Sequence, residues 1–453
     1  MRRRLTIFVY SFLAIGLAGL IFIRSVSATV PGTNTLVSAN NTGNGQGGDG
    51  NTNPGGQWKD PHISADGKFV VFQSSASNMV DNDTNGIADI FVRNLSTGTT
   101  TRVDVSSSGV EASSASGTCT SNSSVDAISR TGRYVAFASN STNLIDGQTT
   151  SSWQIFIRDM QTGQTSLVTQ TSSGTIANSL SCEVDGVSSD GRFVLFESSA
   201  TNLGPSVASG GDYLFMADRQ LGTFRVLNNS ISPIPFQRGH VLVASMSCDG
   251  SFVVDTEFQD ALTADDTNTF ENVYLIDLRN GQTITNLTAN EIKPSFEASI
   301  SCNGDYIAFE SESGHTFVPG LIGSTDYTAH FYVYDRINGA FSLADQSSSG
   351  TVGNNQVYGI AGVDDNGDTV FESSATNLGS ASSPSNEVWF HNNLNGTTEL
   401  LSRNSAGTAG NGGSTDPGIS ANGKIATYNS EATNLISSDT NGKRDVFTSL
   451  TGL

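Results

Sequence analysis

The strongest constraint on this chain is one short pattern that recurs seven times along it. An apolar residue is followed by Ser or Asp, a variable residue, usually Asp or Asn, and then Gly. The copies are ISADG ending at Gly67, ISRTG at Gly132, VSSDG at Gly191, MSCDG at Gly250, ISCNG at Gly304, VDDNG at Gly367 and ISANG at Gly423. Successive glycines lie 65, 59, 59, 54, 63 and 56 residues apart. A period of this size means one supersecondary unit repeated, because a single unit cannot bury its apolar face alone.

The unit reads as four strands. An apolar run follows the glycine, as in KFVVFQSS, RYVAFASN and RFVLFESS. A second run follows a loop, as in ADIFVRNL, WQIFIRDM and HFYVYDR, and a tight turn such as STG, QTG or ING leads to a last one, as in TTRVDVSSSG. The 48 glycines and the many Ser, Thr and Asn residues suit short strands and turns and disfavour long helices. The expected fold class is all-β: a seven-bladed β-propeller of four-stranded blades spanning residues 29–453.

The two ends of the chain complement each other. The seventh copy stops at Leu453 without a fourth strand, whereas TLVSANNTG, from Thr35 to Gly43, resembles TRVDVSSSG but precedes the first copy. The last blade is therefore expected to be closed by the N-terminal strand, Thr35 to Ala39, which removes two open sheet edges. The strand entering each glycine turn should be innermost. Two positions before its Ser or Asp stand His62, Ala127, Gly186, Ser245, Ser299, Gly362 and Gly418, and six of these are small, as a crowded axis requires. His62 is the exception and is expected to project into the channel as a binding residue.

The stretch from Asp60 to Phe72, DPHISADGKFVVF, resembles the repeat of TolB-type propellers, a WD-like family. The resemblance covers residues 35–453. It implies the propeller fold, and it leaves function open among scaffolds, partner-binding modules and enzyme domains.

The N-terminus reads as an export leader. Arg2, Arg3 and Arg4 precede an uncharged apolar run from Leu5 to Ile23, and Val26-Ser27-Ala28 fits a cleavage site. Residues 1–28 are read as a signal peptide, with an uncleaved N-terminal anchor as the alternative. An extracytoplasmic location follows, and any membrane contact would be through that anchor. Without Arg2, Arg3, Arg4 and Arg24 the chain keeps 18 basic residues against 43 acidic ones, a net of −25. Such a surface repels phosphate backbones, so nucleic acid is not an expected partner.

The connections after the second and fourth strands are long, for example Ser74 to Ile87 and Val110 to Ser124, and both sets emerge on one side of the disc. Binding on a rigid scaffold concentrates on such loops, so a protein or glycan partner is expected on this long-loop face. One loop carries Asp81, Asp83, Asn85 and Asp89 at the spacing of the first part of a calcium loop, but Val92 stands where the bidentate Glu would be. Asp439, Asn441 and Asp445 repeat the pattern near the C-terminus. These residues are read as Asx turns that satisfy loop amides, with weak Ca²⁺ binding as the alternative. No cofactor is required by the sequence.

Export permits disulfides; Cys248 and Cys302 occupy the same register in adjacent blades, and Cys119 and Cys182 both lie just before the inner strand, so the pairs Cys119–Cys182 and Cys248–Cys302 are expected. None of the five histidines, His62, His240, His315, His330 and His391, has H-E-x-x-H spacing, and no G-x-S-x-G elbow occurs. No catalytic residues are assigned. The functional expectation is an exported binding or scaffold module for a protein, peptide or envelope glycan. The alternative is a carbohydrate-active lyase or hydrolase with its site at the channel mouth.

Overall fold

In a computed structural model of the chain, the residues described are 30–41, 47–52, 61–114, 116, 126–147, 152–204, 207, 211–228, 241–257, 262–267, 270–289, 291–321, 323, 328–380 and 385–453. The leader expected at residues 1–28 lies outside them. Seven antiparallel four-stranded sheets form a seven-bladed propeller, and the one helix among the described residues is the single turn Gly314–Phe317. Six blades are consecutive in the chain. The seventh combines Ser414–Ile419, Ile425–Ser430 and Asp445–Leu450 with the N-terminal strand Asn34–Leu36.

That closing strand starts one residue before the expected position. It pairs Asn34 with Ser449, Thr35 with Thr448 and Leu36 with Phe447, and the Val37 amide continues the ladder onto the Val446 carbonyl at 2.8 Å. Regular pairing ends there because Ser38 turns its hydroxyl onto the Asp445 carboxylate at 2.5 Å.

The recurring motif has a physical role in each blade. The serine hydroxyl accepts the amide five residues on, as in Ser129 from Tyr134 at 2.9 Å and Ser188 from Phe193 at 2.9 Å. In most blades it donates to the Asp or Asn two residues on, as Ser188 does to Asp190 at 2.7 Å. The glycine has a left-handed backbone, and in blades two to six it packs on the ring that begins the second strand of the preceding blade. A Cβ on Gly132 would lie 2.3 Å from Phe69, and one on Gly191 2.5 Å from Tyr134. One pattern therefore sets both the turn and the blade-to-blade spacing.

Each blade buries its second and third strands almost completely, as in Phe69–Ser74 and Asp89–Asn94, and the apolar clusters run from blade to blade. The outer strands are shorter than the sequence implies. Thr99–Arg102 gives way to a small hairpin that bridges Val105 to Glu111. Ser107 and Val105 on this hairpin bind Thr165 on the outer strand of the next blade. Ser348 does the same to Thr398. Outer edges are thus clasped sideways rather than left open.

Candidate functional site

The seven inner strands surround a central cavity of about 220 Å³. All seven of the inward positions read from the sequence, from His62 to Gly418, line it. Close approach explains their size: a Cβ on Gly186 would lie 3.0 Å from Met246, and one on Gly362 3.1 Å from the Ile419 amide. The His62 imidazole stands in this wall, and burial pushes its pKa down to about 4, so it is neutral at physiological pH.

The long-loop end of the channel is built from carboxyl groups. Inner strands of blades three, five and seven carry β-bulges there, and Glu183, Glu297 and Asp416 adopt left-handed backbone with φ of 48°, 56° and 57°. The bulge turns each side chain toward the second strand of its own blade. Glu183 meets Glu197, Glu297 meets Glu310, and Asp416 accepts the Asn429 amide at 2.9 Å. Arg444 adds an ion pair to Asp416. Glu372, in blade six, accepts Asn386 and the backbone amide of Asp416.

Burial dominates the electrostatics of this belt. It pushes Glu197 and Asp185 well above the usual carboxylate range, and the neighbouring carboxylates push further. Glu310 is raised by burial and then by Glu297, and Glu372 rises to about 8. Two close acids in low dielectric share a proton instead of both ionising. Glu197, Glu310 and Glu372 are each less than one-tenth exposed.

The loops marked as calcium-like are occupied by protein partners. Arg102, on the outer strand of blade one, reaches Asp83 at 3.1 Å and Asp89 at 3.4 Å and also pairs with Glu111. Asn85 donates to Asp89 at 2.9 Å while its carbonyl accepts the Ile87 amide, an Asx turn. Asp81 accepts the Asn41 side chain. In the related loop Asn441 donates to Asp445 at 2.7 Å and accepts the Lys443 amide, while Asp439 is buried. Among the described residues, no group of three or more His, Cys, Asp or Glu is placed to hold a metal ion.

The short-turn end is different in kind. The variable residue of the motif forms a rim: Ala65, Arg130, Ser189, Cys248, Cys302, Asp365 and Ala421. Backbone hydrogen bonds link much of it, from Ser189 to Cys248 (2.7 Å), Cys248 to Cys302 (2.8 Å), Asp365 to Ala421 (3.0 Å) and Ala421 to Ala65 (3.0 Å). The disulfide Cys248–Cys302 spans adjacent blades four and five, as the register implied. Cys182 is also disulfide-bonded, and Cys119 lies outside the described residues. Arg130, from blade two, donates to Cys302 Sγ at 3.2 Å. Sequence reading missed both this contact and the carboxyl belt. The available signal was the column Glu197, Glu310 and Glu372 at one position of the second strand.

No protein-family model and no curated protein sequence matches the chain. Solved structures do resemble it. TolB from Acinetobacter baumannii is 13% identical, with 74% of this chain and 66% of that one covered and a TM-score of 0.41. An oligogalacturonate lyase in complex with manganese is 12% identical over 86% and 88% of the two chains, with a TM-score of 0.48. A prolyl endopeptidase is 12% identical, with 88% of this chain covered and a TM-score of 0.50. This chain spans about half that enzyme's length and just under two thirds of the Acinetobacter TolB. At such identities the likeness is one of fold. The propeller implied by the TolB-type repeat is the fold the chain adopts.

Proposed function

We propose that this chain is an exported binding module that holds a protein or peptide partner on its long-loop face. The observation that carries this reading is that five exposed large apolar side chains sit on or beside the long connections of that face, whereas Leu221, Ile337 and Leu394 on the opposite side, though 63%, 65% and 93% exposed, each stand at a tight turn of a separate blade. Val110, Leu180, Ile292, Leu321 and Tyr358 are 53%, 44%, 55%, 42% and 37% exposed, all on or beside long connections. Apolar groups on a rigid scaffold suit a protein interface better than a glycan, which offers hydroxyls. The acidic balance of the chain favours a basic partner. Disulfide bonding supports export.

The test compares capture from the envelope fraction by three forms of the mature chain. Leu180→Asp with Ile292→Asp should abolish capture of any specific partner. Leu394→Asp, on the opposite side and 93% exposed, should leave it intact. Equal capture by all three would remove the reading. A carbohydrate-active enzyme remains the second reading, favoured by the adjacent carboxyl pairs Glu183–Glu197 and Glu297–Glu310. Turnover of a glycan, lost in Glu197→Gln, would put it first.

A further inference from the structure

We propose that Cys248–Cys302, at the short-turn mouth of the channel, is a thiol–disulfide exchange site for a low-molecular-weight thiol, with Arg130 holding the departing Cys302 thiolate. Three observations carry this, and none depends on the long-loop reading. Both cysteines are half-buried and line the central cavity, so a small thiol has a path to the bond. The Arg130 guanidinium crosses from blade two to donate to Cys302 Sγ at 3.2 Å, a contact between residues 172 positions apart. Blades three to five are also joined at the rim without the disulfide, because the Cys248 amide binds the Cys302 carbonyl at 2.8 Å and Ser189 binds the Cys248 carbonyl through both its amide and its hydroxyl. The covalent bond can therefore open while the blades stay joined.

The asymmetry sets the direction of attack. A cation beside a sulfur stabilises the thiolate, and the sulfur with the more stable thiolate leaves faster. The incoming thiolate accordingly attacks Cys248 Sγ. A new S–S bond forms to Cys248, the Cys248–Cys302 bond breaks, and its electron pair stays on Cys302 Sγ beside Arg130. A second thiolate then attacks the incoming sulfur and releases Cys248, which takes a proton from water. Two thiols are oxidised to their disulfide and the protein cystine is reduced to two cysteines. Asp365 completes the surroundings: it accepts the Asn303 amide at 2.7 Å, next to Cys302, and feels the charge of Arg130.

The test treats the folded mature chain with reduced glutathione, quenches with an alkylating agent and maps the modified cysteines by mass spectrometry. Circular dichroism is followed in parallel. Glutathione should appear on Cys248 while the fold is retained. Arg130→Gln should slow the reaction about tenfold and raise the pH at which reduced Cys302 alkylates, and Arg130→Lys should restore most of the rate. Opening only under unfolding conditions, glutathione on Cys302 in place of Cys248, or an unchanged rate in Arg130→Gln would each overturn the proposal.

Discussion

The two mouths of the channel are stabilised by opposite means. At the short-turn mouth one pattern of Ser, Asp or Asn and Gly makes near-identical turns, tied to each other by backbone hydrogen bonds and by Cys248–Cys302. At the long-loop mouth the carboxyl groups around the channel change their partners between blades. Blade three uses a Glu pair, blade six uses Glu372 with Asn386, and blade seven uses Asp416 with Asn429 and Arg444. The first mouth is geometry, which tolerates little change. The second is electrostatics, which answers to pH and charge.

The largest effect should come from the geometric mouth. Gly132→Ala puts a Cβ 2.3 Å from Phe69 on a backbone of φ 73°. It should cost about 2–4 kcal/mol, as strain and overpacking add, and calorimetry would read it as a lower melting temperature. A neutral result would mean that the turn glycines do not set blade spacing.

Next is Arg444→Met, which leaves the buried Asp416 carboxylate without its guanidinium. The expected loss is about 2 kcal/mol at neutral pH, below the range for a fully buried pair because Arg444 is partly exposed. Urea denaturation midpoints would show it. No loss would place this mouth under packing control instead.

A smaller, pH-dependent effect belongs to Glu372, whose pKa rises from 4.5 to about 8 on folding. The folded state therefore holds the proton more tightly than the unfolded chain. This stabilisation is fully present below pH 4.5 and fades as pH rises through 8. Glu372→Gln should match the unsubstituted chain at acidic pH and melt a few degrees higher near pH 8.5. Parallel melting curves at every pH would remove Glu372 from the electrostatic mouth.

The smallest effect is expected from metal. The Arg102 guanidinium already stands among Asp83, Asp89 and Glu111, where a cation would have to sit, so Ca²⁺ added to chelator-treated protein should move the melting temperature by less than about 1 °C. A larger shift would mean that Ca²⁺ displaces the guanidinium.

The short-turn mouth was legible in the sequence because its interactions are local. Ser188 reaches the amide five residues on, and Gly191 declares its left-handed turn by lacking a side chain. The same locality exposed the blade count, the closing strand and the channel positions from His62 to Gly418. The long-loop mouth was hidden because a bulge decides where each side chain points. Glu183, Glu297 and Asp416 read as ordinary strand residues until the left-handed backbone re-aims them. Arg102 was equally unreadable. It stands 19 residues from Asp83 and approaches it only because strands three and four of blade one pair.

The sequence by itself therefore determined the seven-bladed ring, its closure by the N-terminal strand and the register that joins Cys248 to Cys302. Periodicity carries that information, since identical turns recur at each blade. Tertiary structure alone decided which charges meet. Arg130 reaches Cys302 across the channel, and Arg102 gathers the loop carboxylates that resemble calcium ligands. Contacts between blades depend on the angle and spacing of the closed ring, and no single repeat records either.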